Sequence, residues 1–317
     1  MRLGEKTDFT EFIKVAMEVA YKVLPDYSCP ESRHDFTQPQ LMVSLMIKRY
    51  LELSYRQTED FLASSLDLAA LMGLKEKTPD HSTLQKFFKR MDGALLDHLF
   101  SAVATKLKPA LKESLQWAAD STGYRLTQAS HHYLASRWKK REEADHPYQA
   151  KEHRKFAKHI FMVDLRWLLL GSQGARQGPW GDMGELVPLI KGRDPWMRVK
   201  AIAADPGFDT MKAHRWIRTR LHAKDGVKLA NRRGDPQRIH PYRKRIRRYF
   251  PWVFYRQRSK AETIPSVIKR RFGNHILARS YEMRRKETLM LGVIYNIYRG
   301  IQLGFLSLFP RISWVFS

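Results

Sequence analysis

Two aspartates occupy positions in the sequence where a carboxylate could serve metal chemistry. Asp120 follows the apolar stretch Leu115–Ala119 and Asp205 follows Val199–Ala204, and both stretches are predicted to be β-strands that end at the aspartate. Each aspartate is followed by a predicted turn that contains glycine. A strand end holds a side chain rigidly, as a metal site requires. A turn-forming or helix-capping role for either aspartate is the alternative.

A third carboxylate, Glu262, stands out because its surroundings are basic. Residues 238–286 hold 16 Lys and Arg residues and only two acidic ones. A carboxylate repels phosphate, so in such a segment it either pairs with a neighbouring arginine or holds a divalent cation that itself binds phosphate. Together with Asp120 and Asp205, Glu262 would supply the oxygen ligands that Mg²⁺ or Mn²⁺ prefers. Two such ions can drive an in-line phosphoryl displacement.

The residues around Glu262 have a helical spacing. Tyr255 and Arg258 precede it by seven and four residues, and Lys269 follows it by seven. At 100° per residue, the four side chains fall within roughly 60° of one another on one helix face. The hydroxyl, guanidinium and ammonium groups can each bind phosphate. Pro265 leaves open the alternative that the helix begins just before this proline.

Two other aspartates compete for the position of second metal ligand. Asp209 lies four residues after Asp205, and we expect it to cap the following helix. Asp164 lies in the predicted turn between the strands Ile160–Val163 and Trp167–Leu170. We favour Asp205 over both, because it directly follows a strand.

The charge of the chain indicates a polyanionic partner. The 317 residues carry 57 Lys and Arg against 32 Asp and Glu, a net charge of +25. Residues 1–100 hold 13 against 15, so the remaining residues carry a net charge of +27. Such a surface repels itself unless a polyanion neutralises it, and nucleic acid is the first candidate. The run 243–248, with Arg243, Lys244, Arg245, Arg247 and Arg248, is either a solvated basic helix or a track for the DNA backbone, and its charge favours the track.

The first hundred residues have the pattern of short helices. Two capping boxes are predicted, one at Ser54-x-x-Gln57 and one at Ser82-x-x-Gln85. Behind the second box, an apolar face faces away from three cations, Lys86, Lys89 and Arg90. These cations either contact DNA as part of a helix-turn-helix unit or form the solvated face of an ordinary helical bundle.

From Leu115 onwards the pattern is α/β. Strand, hairpin, helix, strand, helix and a last strand at Val227–Ala230 predict a mixed sheet with helices packed on it. Basic helices follow, and the apolar run Leu289–Tyr298 is expected to close the core. Trp252 is expected to pack in this core rather than to stack on an unpaired base. The single cysteine excludes a disulfide framework and any cysteine-based zinc site.

Four parts of the sequence resemble the DDE insertion-sequence transposases. The order Tyr255-x2-Arg258-x3-Glu262-x6-Lys269 is similar to the C-terminal signature of a large group of these enzymes. Residues 118–123 (Ala-Ala-Asp-Ser-Thr-Gly) and 203–209 (Ala-Ala-Asp-Pro-Gly-Phe-Asp) resemble the blocks around their first and second aspartates. Residues 78–84 resemble their helical region. The resemblance covers about residues 35–300.

The resemblance implies an RNase H-like catalytic region in which Asp120, Asp205 and Glu262 hold two Mg²⁺ or Mn²⁺ ions. Tyr255, Arg258 and Lys269 would contact DNA phosphates near the transposon end. The implied chemistry is hydrolytic nicking at that end, followed by attack of the freed 3′-OH on target DNA, without a covalent protein–DNA intermediate. The implied partners are the transposon ends, the target DNA and a second copy of the chain in a homodimer.

We expect a helical N-terminal domain over residues 1–110, an RNase H-like domain over 111–305 and a tail over 306–317. No signal peptide and no run of about 20 uninterrupted apolar residues is present, so a soluble cytoplasmic protein is expected. Two other functions remain open: a structure-selective nuclease on the same fold, and a non-catalytic basic DNA-binding protein. The first need not carry the Tyr-Arg-Glu-Lys spacing, and the second leaves the three carboxylates without a purpose.

Overall fold

The computed structural model describes residues 3–74, 77–126, 156–231 and 240–306. Helices are the only regular secondary structure in the described part of the chain before residue 115. They are α1 (Leu3–Val23), α2 (Gln38–Tyr50), α3 (Tyr55–Ser64), α4 (Leu66–Leu71), α5 (His81–Arg90), α6 (Ala94–Lys106) and α7 (Lys108–Glu113). The predicted helical N-terminal region is therefore confirmed.

Side-chain caps determine where these helices begin. Ser54 and Gln57 form the predicted capping box at the start of α3. The second predicted box is wrong, because the carboxylate of Asp80 accepts from the backbone N–H groups of Ser82 and Thr83 and caps α5 instead. Ser82 is the second residue of α5, so it lies inside the helix and cannot cap its start. An aspartate just before the helix can accept both N–H bonds.

Five strands form a mixed sheet in the order β3-β2-β1-β4-β5. They are β1 (Gln116–Arg125), β2 (Phe156–Asp164), β3 (Leu170–Gln177), β4 (Ala201–Ala204) and β5 (Lys224–Val227). The central strand β1 runs antiparallel to β2 and parallel to β4, and β4 runs parallel to β5. The mixed α/β class is confirmed.

Several strand boundaries differ from the prediction. The hairpin strand predicted at Trp167–Leu170 instead runs from Leu170 to Gln177, and β2 begins at Phe156, four residues before its predicted start. The chain does not turn after Asp120, because β1 continues to Arg125, with Asp120 opposite Phe161 and Gly123 opposite Lys158. Small polar residues can continue a strand when a long neighbouring strand supplies the hydrogen bonds. The last strand begins at Lys224, three residues before the predicted start.

Helices cover the sheet and extend to the end of the described chain. They are α8 (Leu186–Gly192), α9 (Met211–Arg215, continued by a π-helical turn at Trp216–Arg220), α10 (Pro241–Arg248), α11 (Trp252–Arg256), α12 (Thr263–Phe272) and α13 (Tyr281–Gln302). A 3₁₀ segment at Gln257–Glu262 separates α11 from α12. The single helix predicted around Glu262 is therefore wrong. The alternative that a helix begins just before Pro265 is confirmed.

Helix α13 forms the centre of the core. It packs on β3 and β2 and on α1, α2 and α6, and its segment Leu289–Ile297 is buried. Gly292 lies so close to the carboxamide of Gln173 that a Cβ atom there would clash with it. Asn296 donates to the carbonyl of Leu170 and accepts from its N–H at 2.9 and 2.8 Å. The run predicted to close the core does so.

The helical region and the sheet share this one hydrophobic core. The division of the chain at residue 110 stays a prediction, and the predicted tail lies outside the described residues apart from Leu306. Across the described ranges, every helix is too short or too polar to cross a membrane.

Lys286 joins the two regions through hydrogen bonds. Its buried Nζ donates to the carbonyls of Phe88, Lys89 and Met91 at the end of α5, at 3.2, 3.1 and 2.6 Å. We expect Lys286→Met to lower the free energy of unfolding by about 2 kcal/mol, because these carbonyls lose a charged donor. Denaturant titration measures this. The exposed control Lys22→Met should change it by less than about 0.5 kcal/mol, and an equal effect of both would contradict the prediction.

Candidate active site

The sheet brings Asp120 and Asp205 together. Ala119 in β1 is paired with Ala204 in the parallel strand β4, so the two aspartates occupy the next position on neighbouring strands. Residues paired in this way lie about 5 Å apart and point to the same face of the sheet. The predicted convergence of these two carboxylates therefore follows from the strand register.

Local hydrogen bonds hold both carboxylates. Asp120 accepts from the N–H of Ser121 at 2.9 Å. Asp205 accepts from the N–H of Gly207 at 2.9 Å and caps the 3₁₀ turn Pro206–Phe208. A Cβ atom at position 207 would lie only 2.9 Å from the Oδ1 atom of Asp205, so glycine is required for this close approach.

Glu262 reaches the same place from the 3₁₀ segment. The buried Ala261 anchors this segment, which packs against β1 and β4. The guanidinium of Arg258 lies between two carboxylates, with Nη2 at 3.0 Å from Oε1 of Glu262 and Nη1 at 3.9 Å from Oδ1 of Asp120. The carboxylate of Glu262 is 60% exposed, whereas that of Asp120 is mostly buried.

The pKa of Asp120 depends on the charges of the other site residues. Burial is the main cause that raises the pKa of Asp120, and the negative charges of Asp205 and Glu262 raise it further. Arg258 opposes this rise in part. Burial lowers the pKa of Arg258, but the charges around it, that of Asp120 foremost, outweigh burial and leave this pKa raised. The three predicted carboxylates thus share one electrostatic environment, and Arg258 is their counter-ion.

A fourth carboxylate, Asp182, was missed by the sequence reasoning. It accepts from the hydroxyl of Ser121 at 3.0 Å and forms an ion pair with Nζ of Lys158 at 2.6 Å. A Cβ atom on Gly207 would lie 3.5 Å from it, so Asp182 flanks Asp205. The available signal was Lys158, a buried lysine in the strand β2, because such a charge needs a partner.

Tyr255 belongs to an aromatic cluster beside the carboxylates, together with Phe250 and Trp252. The ring of Phe250 meets those of Trp252 and Tyr255 at 4.7 and 5.2 Å. Nζ of Lys228 lies 5.7 Å from the Trp252 ring and 5.9 Å from the Tyr255 ring. Trp252 is 52% exposed, so its expected place in the core is wrong. Trp252 begins α11, and its ring packs on Phe250 and Tyr255 instead.

Lys269 lies farther along the same side of β1. Its Nζ is 5.7 Å from the ring of Tyr124, which is four residues after Asp120 and so points to the same face. Burial lowers the pKa of Lys269. Tyr255, Arg258 and Lys269 thus lie near the carboxylates, but they come from three successive helical segments and not from one helix face as predicted.

The basic helix α10 exposes four of its five predicted DNA-binding cations, namely Lys244, Arg245, Arg247 and Arg248. Arg243 is a correction, because its guanidinium is buried and donates to both oxygens of Asp209 at 2.9 and 2.6 Å. A guanidinium held in this way cannot reach a phosphate on the surface. The three cations predicted on α5, Lys86, Lys89 and Arg90, are exposed.

The rival aspartates have structural partners. Asp209 does not cap the next helix, since Thr210 does so; it is buried between Arg243 and His214. Asp164 is buried, and it accepts from the hydroxyl of Ser114 and from the backbone N–H groups of residues 166, 167 and 169. Neither carboxylate is placed with Asp120.

No three histidine, cysteine, aspartate or glutamate side chains stand close enough together to hold a metal ion within the described parts of the chain. The three-carboxylate metal site predicted at Asp120, Asp205 and Glu262 is therefore not assembled here, and Glu262 accepts instead from Arg258 at 3.0 Å. A guanidinium thus supplies positive charge where a divalent ion was predicted.

Two known protein families match the sequence of this chain. Residues 115–297 match the sequence model of the family described as "Transposase DDE domain". Residues 3–90 match that of the family described as "Transposase domain (DUF772)". No curated protein matches the chain. The first match covers more than half of the chain and contains Asp120, Asp205 and Glu262, so this protein belongs to the transposases with a DDE domain.

Proposed function

We propose that this transposase cuts DNA at transposon ends by metal-dependent hydrolysis and then joins the freed 3′-OH to target DNA. In the first step, water attacks a phosphodiester and a 3′-OH leaves. In the second, that 3′-OH attacks a phosphodiester of the target and displaces its 3′ oxygen. The observation that carries the proposal is the alignment of Asp120 and Asp205 on neighbouring strands, with Arg258 between Asp120 and Glu262 and exposed cations on α10.

The donor chemistry fits divalent ions. Asp120, Asp205 and Glu262 offer only oxygen ligands, and we assign them to hold two Mg²⁺ or Mn²⁺ ions. When bound, such ions stabilise charge on the attacking and leaving oxygens. The charge that now compensates Glu262 and Asp120 is that of Arg258, so metal binding requires Glu262 to leave this arginine. RNase H-like remains our classification of the fold, supported by the mixed sheet.

The chain's own cations would position the DNA. Once released by Glu262, Arg258 can donate to a phosphate oxygen near the scissile bond. Tyr255 is hydrogen-bonded to Arg258, Lys269 lies beside Tyr124 of β1, and the exposed face of α10 offers further cations. The proposal includes a homodimer that bridges two transposon ends, which rests on the family resemblance. The proposal also includes a cytoplasmic location, where the protein would act on chromosomal or plasmid DNA.

Strand transfer in vitro tests the proposal. The substrate is duplex DNA taken from the two flanks of the gene, searched beforehand for inverted repeats, together with a supercoiled target plasmid. With Mg²⁺ we expect nicked ends and then joined products. Cutting without joining would support a structure-selective nuclease instead, and binding without cutting would support a non-catalytic DNA-binding protein.

The salt dependence of DNA binding tests the role of α10. Changing Lys244, Arg245, Arg247 and Arg248 to Gln should reduce the slope of log K against log salt by about 3 to 4, because each lost phosphate contact releases about 0.9 fewer counterions. Fluorescence anisotropy between about 50 and 200 mM salt measures this. A control that neutralises Lys22 should leave the slope unchanged. An unchanged slope in the fourfold variant would contradict the role of α10.

A further inference from the structure

A cavity of about 640 Å³ lies away from the carboxylates, where α2, α3 and α5 meet the start of α13. Its lining includes none of the carboxylates of the candidate active site and none of Tyr255, Arg258 and Lys269, but it does include Lys89, one of the predicted DNA-binding cations of α5. Its charged lining residues are Lys48, Arg49, Lys89, Arg279 and Glu287. A cavity of this size can hold a ligand as large as a nucleotide.

Lys48 lines this cavity without a counter-ion. The residue is only 7% exposed. Its Nζ lies 4.7 Å from the centre of the Tyr55 ring and, among the described residues, has no hydrogen bond and no carboxylate oxygen within 4.0 Å. Burial lowers the pKa of Lys48, and the charge of Glu287 opposes this only in part. An unpaired buried ammonium is costly, and an anion in the cavity would remove the cost.

The one carboxylate in the lining is already engaged. Glu287 accepts from the backbone N–H groups of Leu277 and Ala278 at 3.3 and 2.9 Å, and it lies 3.7 Å from Nε of Arg49. Four cations and one carboxylate leave a net charge of +3 in the lining.

Two helix starts add to this positive potential. Ser54 caps α3, which has 10 residues, and Ser280 caps α13, which has 22, and both serines line the cavity. The positive ends of both helix dipoles are therefore near the cavity, and these ends favour anions. They act together with Lys48 rather than alone.

The remaining lining is apolar and aromatic, with Tyr55, Phe88, Met283 and Met290 among it. A free inorganic anion would leave this surface unused, whereas a nucleotide covers it with sugar and base. Lys89 connects the mouth of the cavity to the exposed cations Lys86 and Arg90 of the same helix. The cavity thus continues a surface suited to the DNA backbone.

We propose that this cavity binds one nucleotide unit of the DNA substrate, with its phosphate at Lys48, Lys89 and Arg279 and its apolar part against Phe88 and Met283. The site is a second DNA contact that joins the N-terminal helices to α13. The proposal rests on the proposed function only in taking DNA as the substrate, since it uses none of the metal-binding carboxylates.

Two variants test this site in the full-length protein. Lys48→Gln removes the buried ammonium, and Arg279→Gln removes an exposed cation at the mouth, which cannot compromise the core. Each should weaken binding of duplex DNA about 3- to 10-fold and lower the slope of log K against log salt by about 1. Lys22→Gln, which changes the same charge on an exposed part of α1, should alter neither value.

Methyl resonances of ¹³C-labelled methionine provide a readout that a structural role of Lys48 would not produce. We expect Met283 and Met290 to shift on addition of duplex DNA or deoxythymidine monophosphate, and much less on addition of inorganic phosphate. Equal shifts with phosphate alone would reduce the site to one for a simple anion and overturn the nucleotide assignment.

The outcomes separate this site from the proposed function. Wild-type protein that binds and cuts DNA, with Lys48→Gln and Arg279→Gln folded and unchanged in affinity and slope, would overturn the site alone. Wild-type protein that binds no DNA would overturn both proposals. If Lys48→Gln does not fold, Arg279→Gln and the methionine shifts of the wild type decide.

Discussion

Glu262→Gln is expected to abolish strand cleavage while DNA binding stays intact or becomes slightly tighter. A carboxamide is a poor ligand for a divalent ion, and losing several kcal/mol of transition-state stabilisation slows the reaction by roughly 10³-fold or more. Binding does not suffer, because the substitution removes one negative charge that repels phosphate. It also frees Arg258, which now donates to Glu262 at 3.0 Å, to bind DNA.

The fold should tolerate this substitution. Glu262 is 60% exposed, and its bond to Arg258 is an i,i+4 surface pair. Such pairs contribute at most a few tenths of a kcal/mol, about 0.3–0.5 kcal/mol. A loss of activity can therefore be read as chemistry, provided that thermal unfolding is unchanged.

Glu282→Gln is the matched control, because Glu282 is the other acidic residue among the cations of 238–286. It is exposed in the first turn of α13 and should leave cleavage unchanged. The measurements are single-turnover cleavage with Mg²⁺ and anisotropy for binding. Loss of binding in Glu262→Gln, with cleavage of bound DNA retained, would show that the glutamate only orders Arg258.

The aspartate pair was accessible from the sequence because short-range rules determine it. An apolar run followed by Asp appears twice, before Asp120 and before Asp205, and adjacent parallel strands align such positions. Glu262 was accessible for a different reason: a carboxylate in a cationic segment needs an explanation. The geometry that the helix periodicity predicted for it was wrong, because a 3₁₀ segment ends at that residue.

The remaining features depend on tertiary contacts that no local pattern encodes. Asp182 is a site neighbour only because β2 places Lys158 beside it. Arg243 was expected at the surface, like the four other cations of its run. It is buried because it lies on the same face of α10 as Ile246, which packs inward. The cavity at Lys48 arises where α2 and α3 meet α13, which begins more than 200 residues later in the chain. Periodicity predicts which face is buried, but not what it packs against.

The second large effect is expected at a buried charge network below α10. His214 is fully buried and bonds through Nδ1 to Asp225 at 2.7 Å and through Nε2 to Asp209 at 3.0 Å. Arg243 makes two further bonds to Asp209. Two buried carboxylates and two buried cations thus compensate one another.

Asp209→Asn should lower the free energy of unfolding by about 3–5 kcal/mol, because it leaves the charges of Arg243 and His214 buried with too little compensation. Urea titration measures the loss. Asp164→Asn is an instructive comparison, since Asp164 is equally buried but bonds only to neutral donors. A loss of no more than about 1 kcal/mol in Asp209→Asn would mean that Asp209 does not compensate buried positive charge on Arg243 and His214.

The pH dependence of stability identifies the histidine. Desolvation lowers the pKa of His214, but the hydrogen bonds to Asp209 and Asp225 outweigh it and raise this pKa from 6.5 to about 9. A group with a raised pKa in the folded state stabilises the fold fully below its unfolded pKa of about 6.5, and this contribution is lost as pH rises through about 9. The shift corresponds to about 3 kcal/mol.

We compare the free energy of unfolding of the wild type with that of His214→Gln. The advantage of the wild type should be about 3 kcal/mol smaller at pH 9.5 than at about pH 6, since all other titrating groups are common to both proteins. A difference that stays constant over this range would mean that His214 is neutral in the fold. The network also ties Arg243 and Tyr242 of α10 to Asp209 and Asp225. DNA affinity should consequently fall over the same pH range in wild type, because loosening these bonds releases the helix whose exposed cations we assign to the DNA backbone.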